Sequence, residues 1–121
     1  PFVVWGDGMD LKDFLYIDDF INGILLAMEK LDEFFPINIA SGNAVTIRDV
    51  LKEILSASNY KDAPLKYDKT KPTMIPKRLI DITLAKSILN WSPKVSMSDG
   101  LKKTVDWYKK TYDSKTPEEL R

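Results

Sequence analysis

Short apolar segments alternate along this chain with longer stretches whose apolar residues recur at helical spacing, and this alternation constrains the fold most. A chain that switches repeatedly between period 2 and period 3.6 must pack helices against extended segments. The expected fold class is therefore α/β, a small mixed α/β unit. Its 121 residues suit one compact domain or the smaller part of a larger one. The longest unbroken apolar run, 24–28, is far too short to span a bilayer, so a soluble chain without membrane association is expected.

The spacing predicts a strand over Phe2–Trp5, ended by the turn Gly6-Asp7-Gly8, and a second strand over 14–17. Asp18 is placed to cap the next helix, and Asp19 to meet the positive end of its dipole. Ile21, Ile24, Leu25, Met28 and Leu31 follow as a stripe expected to be buried. A third strand is expected over 37–39, closed by Ser41-Gly42-Asn43. Thr46 then caps a second helix, with Asp49 three residues on as a variant of the capping box. Residues 65–67 read as a short edge strand, and 68–77, with Pro72 and Pro76 among lysines, as a loop. Leu79 and Ile80 suit another short extended piece. Thr83 is placed to cap a short helix carrying Leu84, Ile88 and Leu89, and Ser98 a last one carrying Leu101, Val105, Tyr108 and Tyr112. Residues 114–121 form a polar tail, which leaves 1–113 as the domain.

Two zeros in the composition exclude whole classes of chemistry. Without histidine there is no Ser-His-Asp triad and no His-ligated metal. Without cysteine there is no thiol nucleophile, disulfide or zinc–thiolate cluster. Any catalysis must rest on carboxylates, Lys, Tyr, Ser or Thr, or on groups outside this chain. The 18 basic and 18 acidic residues cancel, which argues against a nucleic-acid surface while leaving room for a local basic patch. The lack of cysteine is compatible with a reducing, cytoplasmic setting. The chain opens as the inside of a strand, with no initiator Met, and is expected to be a piece of a longer polypeptide.

Several motifs invite a functional reading beside a plain one. Gly6-Asp7-Gly8 begins like G-x-G-x-x-G, but Leu11 stands at the third glycine and a strand follows, so a tight turn is expected. Tyr67 and Lys71 have Tyr-x-x-x-Lys spacing, yet Pro72 biases Lys71 away from helical geometry. Trp5 can stack on a base or sugar, or simply pack in the core. Lys12, Lys69, Lys71, Lys77 and Arg78 form a diphosphate-binding patch if the fold gathers them, and a solvated basic loop if it does not. Asp18-Asp19 suits a cation or a helix cap; Trp107, Tyr108 and Tyr112 suit packing of the last helix. The residues alone describe a small α/β domain able to bind an anionic ligand.

Four blocks in order carry a resemblance. Trp5-Gly6-Asp7-Gly8 with Lys12-Asp13-Phe14-Leu15-Tyr16-Ile17-Asp18-Asp19 is similar to W-G-x-G…R-[DE]-F-[LI]-[YH]-V-D-D. Asn38-Ile39-Ala40-Ser41-Gly42-Asn43 with Val45-Thr46-Ile47 is similar to N-[IV]-G-[ST]-G-x-x-[VY]-[ST]-I. Lys71-Pro72 through Pro76-Lys77-Arg78-Leu79-Ile80-Asp81 resembles K-P-x-x-x-P-R-K-L-x-D, and Leu89-Asn90-Trp91-Ser92-Pro93 with Gly100-Leu101 and Trp107-Tyr108 resembles L-G-W-x-P…G-L…W-[FY]. Together they resemble the extended short-chain dehydrogenase/reductases of the NAD-dependent epimerase/dehydratase family, and within it the GDP-L-fucose synthase group; UDP-glucose 4-epimerases and dehydratases share much of the pattern.

That resemblance implies the substrate-binding C-terminal part of a nucleotide-sugar epimerase/reductase, with the Rossmann half missing. NADP or NAD and the catalytic Ser, Tyr and Lys would belong to that N-terminal half, so no catalytic, cofactor-binding or metal residue is assigned here. By position, Trp5 would contact nucleotide or sugar, Lys12 and Lys71 the diphosphate, and Arg78 another substrate group. Lys12 replaces the usual Arg, giving a point charge instead of a planar fork. Thr73-Met74 replaces Asp-Gly, and Lys77-Arg78 inverts the usual order. The expected partners are a nucleotide-diphosphate sugar, the Rossmann half, and a second copy in a homo-oligomer that hides an exposed sheet edge. A noncatalytic module for anionic ligands or a protein partner is the competing class.

Overall fold

The structure, a computed structural model, describes residues 1–73 and 75–112. Its elements run β1 (Phe2–Trp5), β2 (Leu11–Asp13), α1 (Ile17–Lys30), β3 (Ala44–Thr46), α2 (Ile47–Ala57), β4 (Leu65–Asp68), α3 (Thr83–Leu89) and α4 (Met97–Tyr112). The mixed α/β class is as expected. The strands make two separate ribbons: β1 parallel to β4, and β2 antiparallel to β3. The edge strand expected over 65–67 is β4. The strand expected over 14–17 is displaced, because Ala44–Thr46 lies opposite Leu11–Asp13 and Ile17 already opens α1.

The start of α1 departs from expectation in an informative way. Its N-cap position is Tyr16, with no side-chain cap, so Asp18 does not cap it. Asp19 turns inward at 6% exposure and accepts backbone N–H groups of Lys94 (3.0 Å) and Val95 (2.8 Å). A buried carboxylate is tolerated only with such partners. The stripe expected to be buried faces out instead: Ile21, Ile24, Leu25 and Met28 are 47, 41, 57 and 75% exposed. Leu31 does pack inward, with Leu26 and Ala27. Gly23 sits where a Cβ would stand 2.7 Å from Ile39 Cγ2 and 3.2 Å from Trp91 Cε2, so it permits the close approach of α1 to that layer.

The buried cluster is Ala40, Ile82, Ala85, Leu89 and Trp91, packed between α1 and α3. Residues 37–39 form no ladder among the described residues, contrary to the expected strand. A strand needs a neighbour to satisfy its backbone, and none runs beside this segment, although Ile37 and Ile39 still pack on the core. Leu79 and Ile80 likewise make no strand; the nearby pairing is an isolated bridge at Lys77.

The starts of α2, α3 and α4 share one kind of contact, a side-chain oxygen that accepts a backbone N–H from two or three residues on. Thr46 caps α2 as expected, accepting from Asp49 N–H (3.1 Å) while donating its hydroxyl to Asp49 Oδ2 (2.6 Å). Thr83 does not cap α3, whose N-cap position is Ile82 without a side-chain cap; Asp81, just ahead of it, accepts from Thr83 N–H (2.8 Å) and hydroxyl (2.6 Å). Those bonds pull the Asp81 carboxyl below its ordinary range. Ser96, not Ser98, receives Asp99 N–H (3.1 Å) at the start of α4, and Ser98 donates to Glu53 Oε2 on α2 (2.8 Å). α3 ends at Asn90 in the left-handed region (φ 53°), where Trp91 N–H returns to Ala85 O (3.2 Å) and the indole turns into the core. Trp107 and Tyr108 are 56 and 54% exposed, against the expected core packing. The polar tail 114–121 lies outside the described residues.

Candidate functional site

The segment 68–78 organises the candidate residues. At its start, β4 pairs Asp68 with Trp5, and Gly6 N–H donates to Asp68 O (2.9 Å). Asp68 also folds the chain back: its carboxylate accepts from Thr70 N–H (3.0 Å) and hydroxyl (2.6 Å), which lowers its pKa, and its carbonyl accepts from Lys71 N–H (3.3 Å). Thr73 then lies over Gly6, so closely that a Cβ there would stand 2.5 Å from Thr73 Cγ2. Gly6 is at φ 78°, a second reason for glycine at that position. Trp5 stays 60% exposed beside this crossing, which excludes the core-packing reading.

Further on, the same segment becomes a third strand-like partner of β2. Leu11 N–H donates to Pro76 O (2.8 Å) and Arg78 N–H to Leu11 O (2.9 Å), placing Leu11 opposite Lys77. Lys12, next on β2, is opposite Val45 on β3, and Arg78 follows Lys77 in the segment, its N–H already bound to Leu11 O. Facing residues of a ladder share a side. Val45 and Lys12 therefore form one row, with Arg78 just past the bridge at Lys77. The Lys12 ammonium, on a side chain 18% exposed, donates to Ile75 O and lies 3.5 Å from Asp10 Oδ2. These contacts hold the loop against β2 and fix where the charge sits.

Beside this row, a cavity of about 270 Å³ opens between Phe14 and Val45 on one wall and Pro93 to Met97 on the other, with Ser41 and Asn43 at its edge. Asp13 shapes that edge, its carboxylate accepting from Ser41 N–H (2.8 Å), Ser41 hydroxyl (2.6 Å) and Gly42 N–H (2.9 Å). Phe14 and Val45 were not singled out from the sequence. The signal was present, since each lies within two residues of Lys12 or its ladder partner. Of the expected residues, Trp5 and Lys71 gather at one end of the segment, and Lys12 and Arg78 at the other. Lys69 and Lys77 are exposed on it, with Lys77 on the opposite side from Lys12.

The Gly6-Asp7-Gly8 turn does not form a dinucleotide cradle. Gly6 and Gly8 have φ of 78° and 74°, but β2 follows them instead of a helix, and Arg48 and Tyr67 fill the space at Gly8. A nicotinamide cofactor's diphosphate needs free backbone N–H groups at a helix start, and these residues do not fit it. Tyr67 lies on β4, so the Tyr67/Lys71 spacing is not on a helix.

The small mixed α/β fold is that of the nucleotide-sugar epimerase/dehydratase class. The chain belongs to the GDP-mannose 4,6 dehydratase family, which it matches over residues 1–104. GDP-L-fucose synthase 1 of Arabidopsis thaliana is 38% identical over 108 residues, covering 89% of this chain and 33% of that protein. The UDP-glucose 4-epimerase of Thermotoga maritima, solved with UDP-glucose, is 37% identical with a TM-score of 0.80, over 90% of this chain and 35% of that one. The UDP-glucuronic acid 4-epimerase of Bacillus cereus, solved with UDP-glucuronic acid and NAD, is 34% identical with a TM-score of 0.81, over 93% of this chain and 36% of that one. The chain thus spans about a third of the length of the relatives it matches. Among the described residues, no helix is long and apolar enough to cross a membrane.

Proposed function

We propose that this chain is the substrate-gripping part of a cytoplasmic nucleotide-sugar epimerase/reductase, most similar to the GDP-L-fucose synthases. In this reading Lys12, Lys71 and Arg78 neutralise the diphosphate, Trp5 stacks on nucleotide or sugar, and Phe14 and Val45 wall the adjoining cavity. The observation that carries it is the Val45–Lys12 pair beside that cavity, with Arg78 adjoining the bridge to β2 and Trp5 at the other end of the same segment. The sugar's redox chemistry, hydride exchange with NADP or NAD, belongs to a Rossmann half. This chain orients the substrate and balances its charge.

The outward stripe of α1 supports such a partner. Four apolar side chains on one helix face, with Phe34 96% exposed after it, make a surface that an isolated domain does not ordinarily leave uncovered. Residues 37–39, which pack on the core yet lack a ladder, supply a strand for a neighbouring sheet to extend.

Calorimetry with GDP-, UDP- and dTDP-hexoses tests the reading. Saturable heat is expected with at least one of them, weakened about tenfold by Lys12→Met and further by Arg78→Met, since each charge-assisted bond contributes about 1.5 kcal/mol or more. Equal binding by parent and double variant would refute it.

A further inference from the structure

We propose a second anion site, separate from the one above, in the cavity of about 400 Å³ between α2 and β4, built to take a phosphate monoester with a compact apolar body. Arg48, Lys52 and Lys61 line it, and no carboxylate does. The cations are arranged against their own electrostatics. Arg48 stands in the first turn of α2, where the helix dipole disfavours positive charge, and Lys52 follows at i+4, a like-charge spacing that costs helix stability. Among the described residues neither the Lys52 nor the Lys61 side chain has an ion-pair or hydrogen-bond partner. A bound dianion relieves all three strains together.

Arg48 is also positioned in advance. Its Nε donates to Asp7 O (2.8 Å), its guanidinium lies 4.5 Å from the Tyr67 ring centroid, and its backbone N–H donates to Gly8 O (3.0 Å). That leaves the terminal guanidinium nitrogens for a phosphoryl group, with little rotamer freedom left to lose on binding. The Ser56 hydroxyl, one turn beyond Lys52, adds a donor, and Leu55 with buried Ala63 gives an apolar floor. None of Trp5, Lys12, Lys71 or Arg78 lines this cavity, so the proposal is independent of the nucleotide-sugar reading.

Inorganic phosphate and phenyl phosphate, titrated against the isotope-labelled chain by NMR, decide the matter. The expected result is saturable one-to-one binding with shifts centred on Arg48 Nε–H, Ser56 and Ala63, and phenyl phosphate binding more tightly. Lys52→Gln with Lys61→Gln, both exposed, should weaken binding about tenfold or more, and Arg48→Lys should weaken it despite keeping the charge. Lys12→Gln with Arg78→Gln should leave it unchanged. Shifts spread evenly over the lysines, shifts centred on Lys12 and Arg78, or unaltered affinity in the Lys52/Lys61 variant would each overturn the proposal.

Discussion

Replacing Leu25 and Met28 together by lysine probes the least conventional feature of this fold, the outward apolar face of α1. At 57 and 75% exposure these side chains have little contact to lose, so the chain's own stability should change by no more than about 0.5 kcal/mol. Leu89→Ala is the control, since a fully buried leucine on α3 should cost about 2–5 kcal/mol. A covering Rossmann half changes the outcome. Full burial of such side chains is worth roughly 2 kcal/mol each, and at these exposures most of that remains to be gained. A polypeptide holding both halves should therefore lose about 2–3 kcal/mol from the same pair of substitutions. Urea unfolding followed by circular dichroism measures each quantity. A loss of several kcal/mol in the isolated chain would refute the assignment of this face to the exterior, and an unchanged two-half protein would refute its being the covered interface.

Other outcomes follow from single contacts. Asp19→Ala removes the acceptor for two backbone N–H groups and should destabilise the chain by about 3 kcal/mol, with Asp19→Asn recovering part of it in the same urea assay. Gly23→Ala drives a methyl into Ile39 and should lower the thermal midpoint, although alanine is the better helix former. Asp68 and Asp81 are held below their ordinary pKa by Thr70 and Thr83 hydrogen bonds, so their contribution is present above the unfolded carboxylate range and fades as pH falls through the lowered values. Asp68→Asn with Asp81→Asn should flatten the acid limb of a stability–pH profile, and an unchanged limb would contradict it. Trp5→Ala should weaken nucleotide-sugar binding while leaving the urea midpoint nearly in place, because the indole is mostly exposed.

Much of the local chemistry was legible, although residues at the starts of α1, α3 and α4 take roles other than those expected. The Gly6-Asp7-Gly8 turn, the Thr46 cap and the helices rest largely on contacts within a few residues, and so appear in the order of the amino acids. The motif blocks singled out Trp5, Lys12, Lys71 and Arg78 as candidates. Long-range partners decided the rest. Helical spacing shows that Ile21, Ile24, Leu25 and Met28 share a face, but which face meets the core was settled by Trp91 and Ile39 entering at Gly23. Asp19 became a buried clamp only because residues 94 and 95 arrive beside it. Lys12 and Arg78 come near one another because the β3 ladder and the bridge at Lys77 both meet β2, and pairing register is a property of chains already brought together.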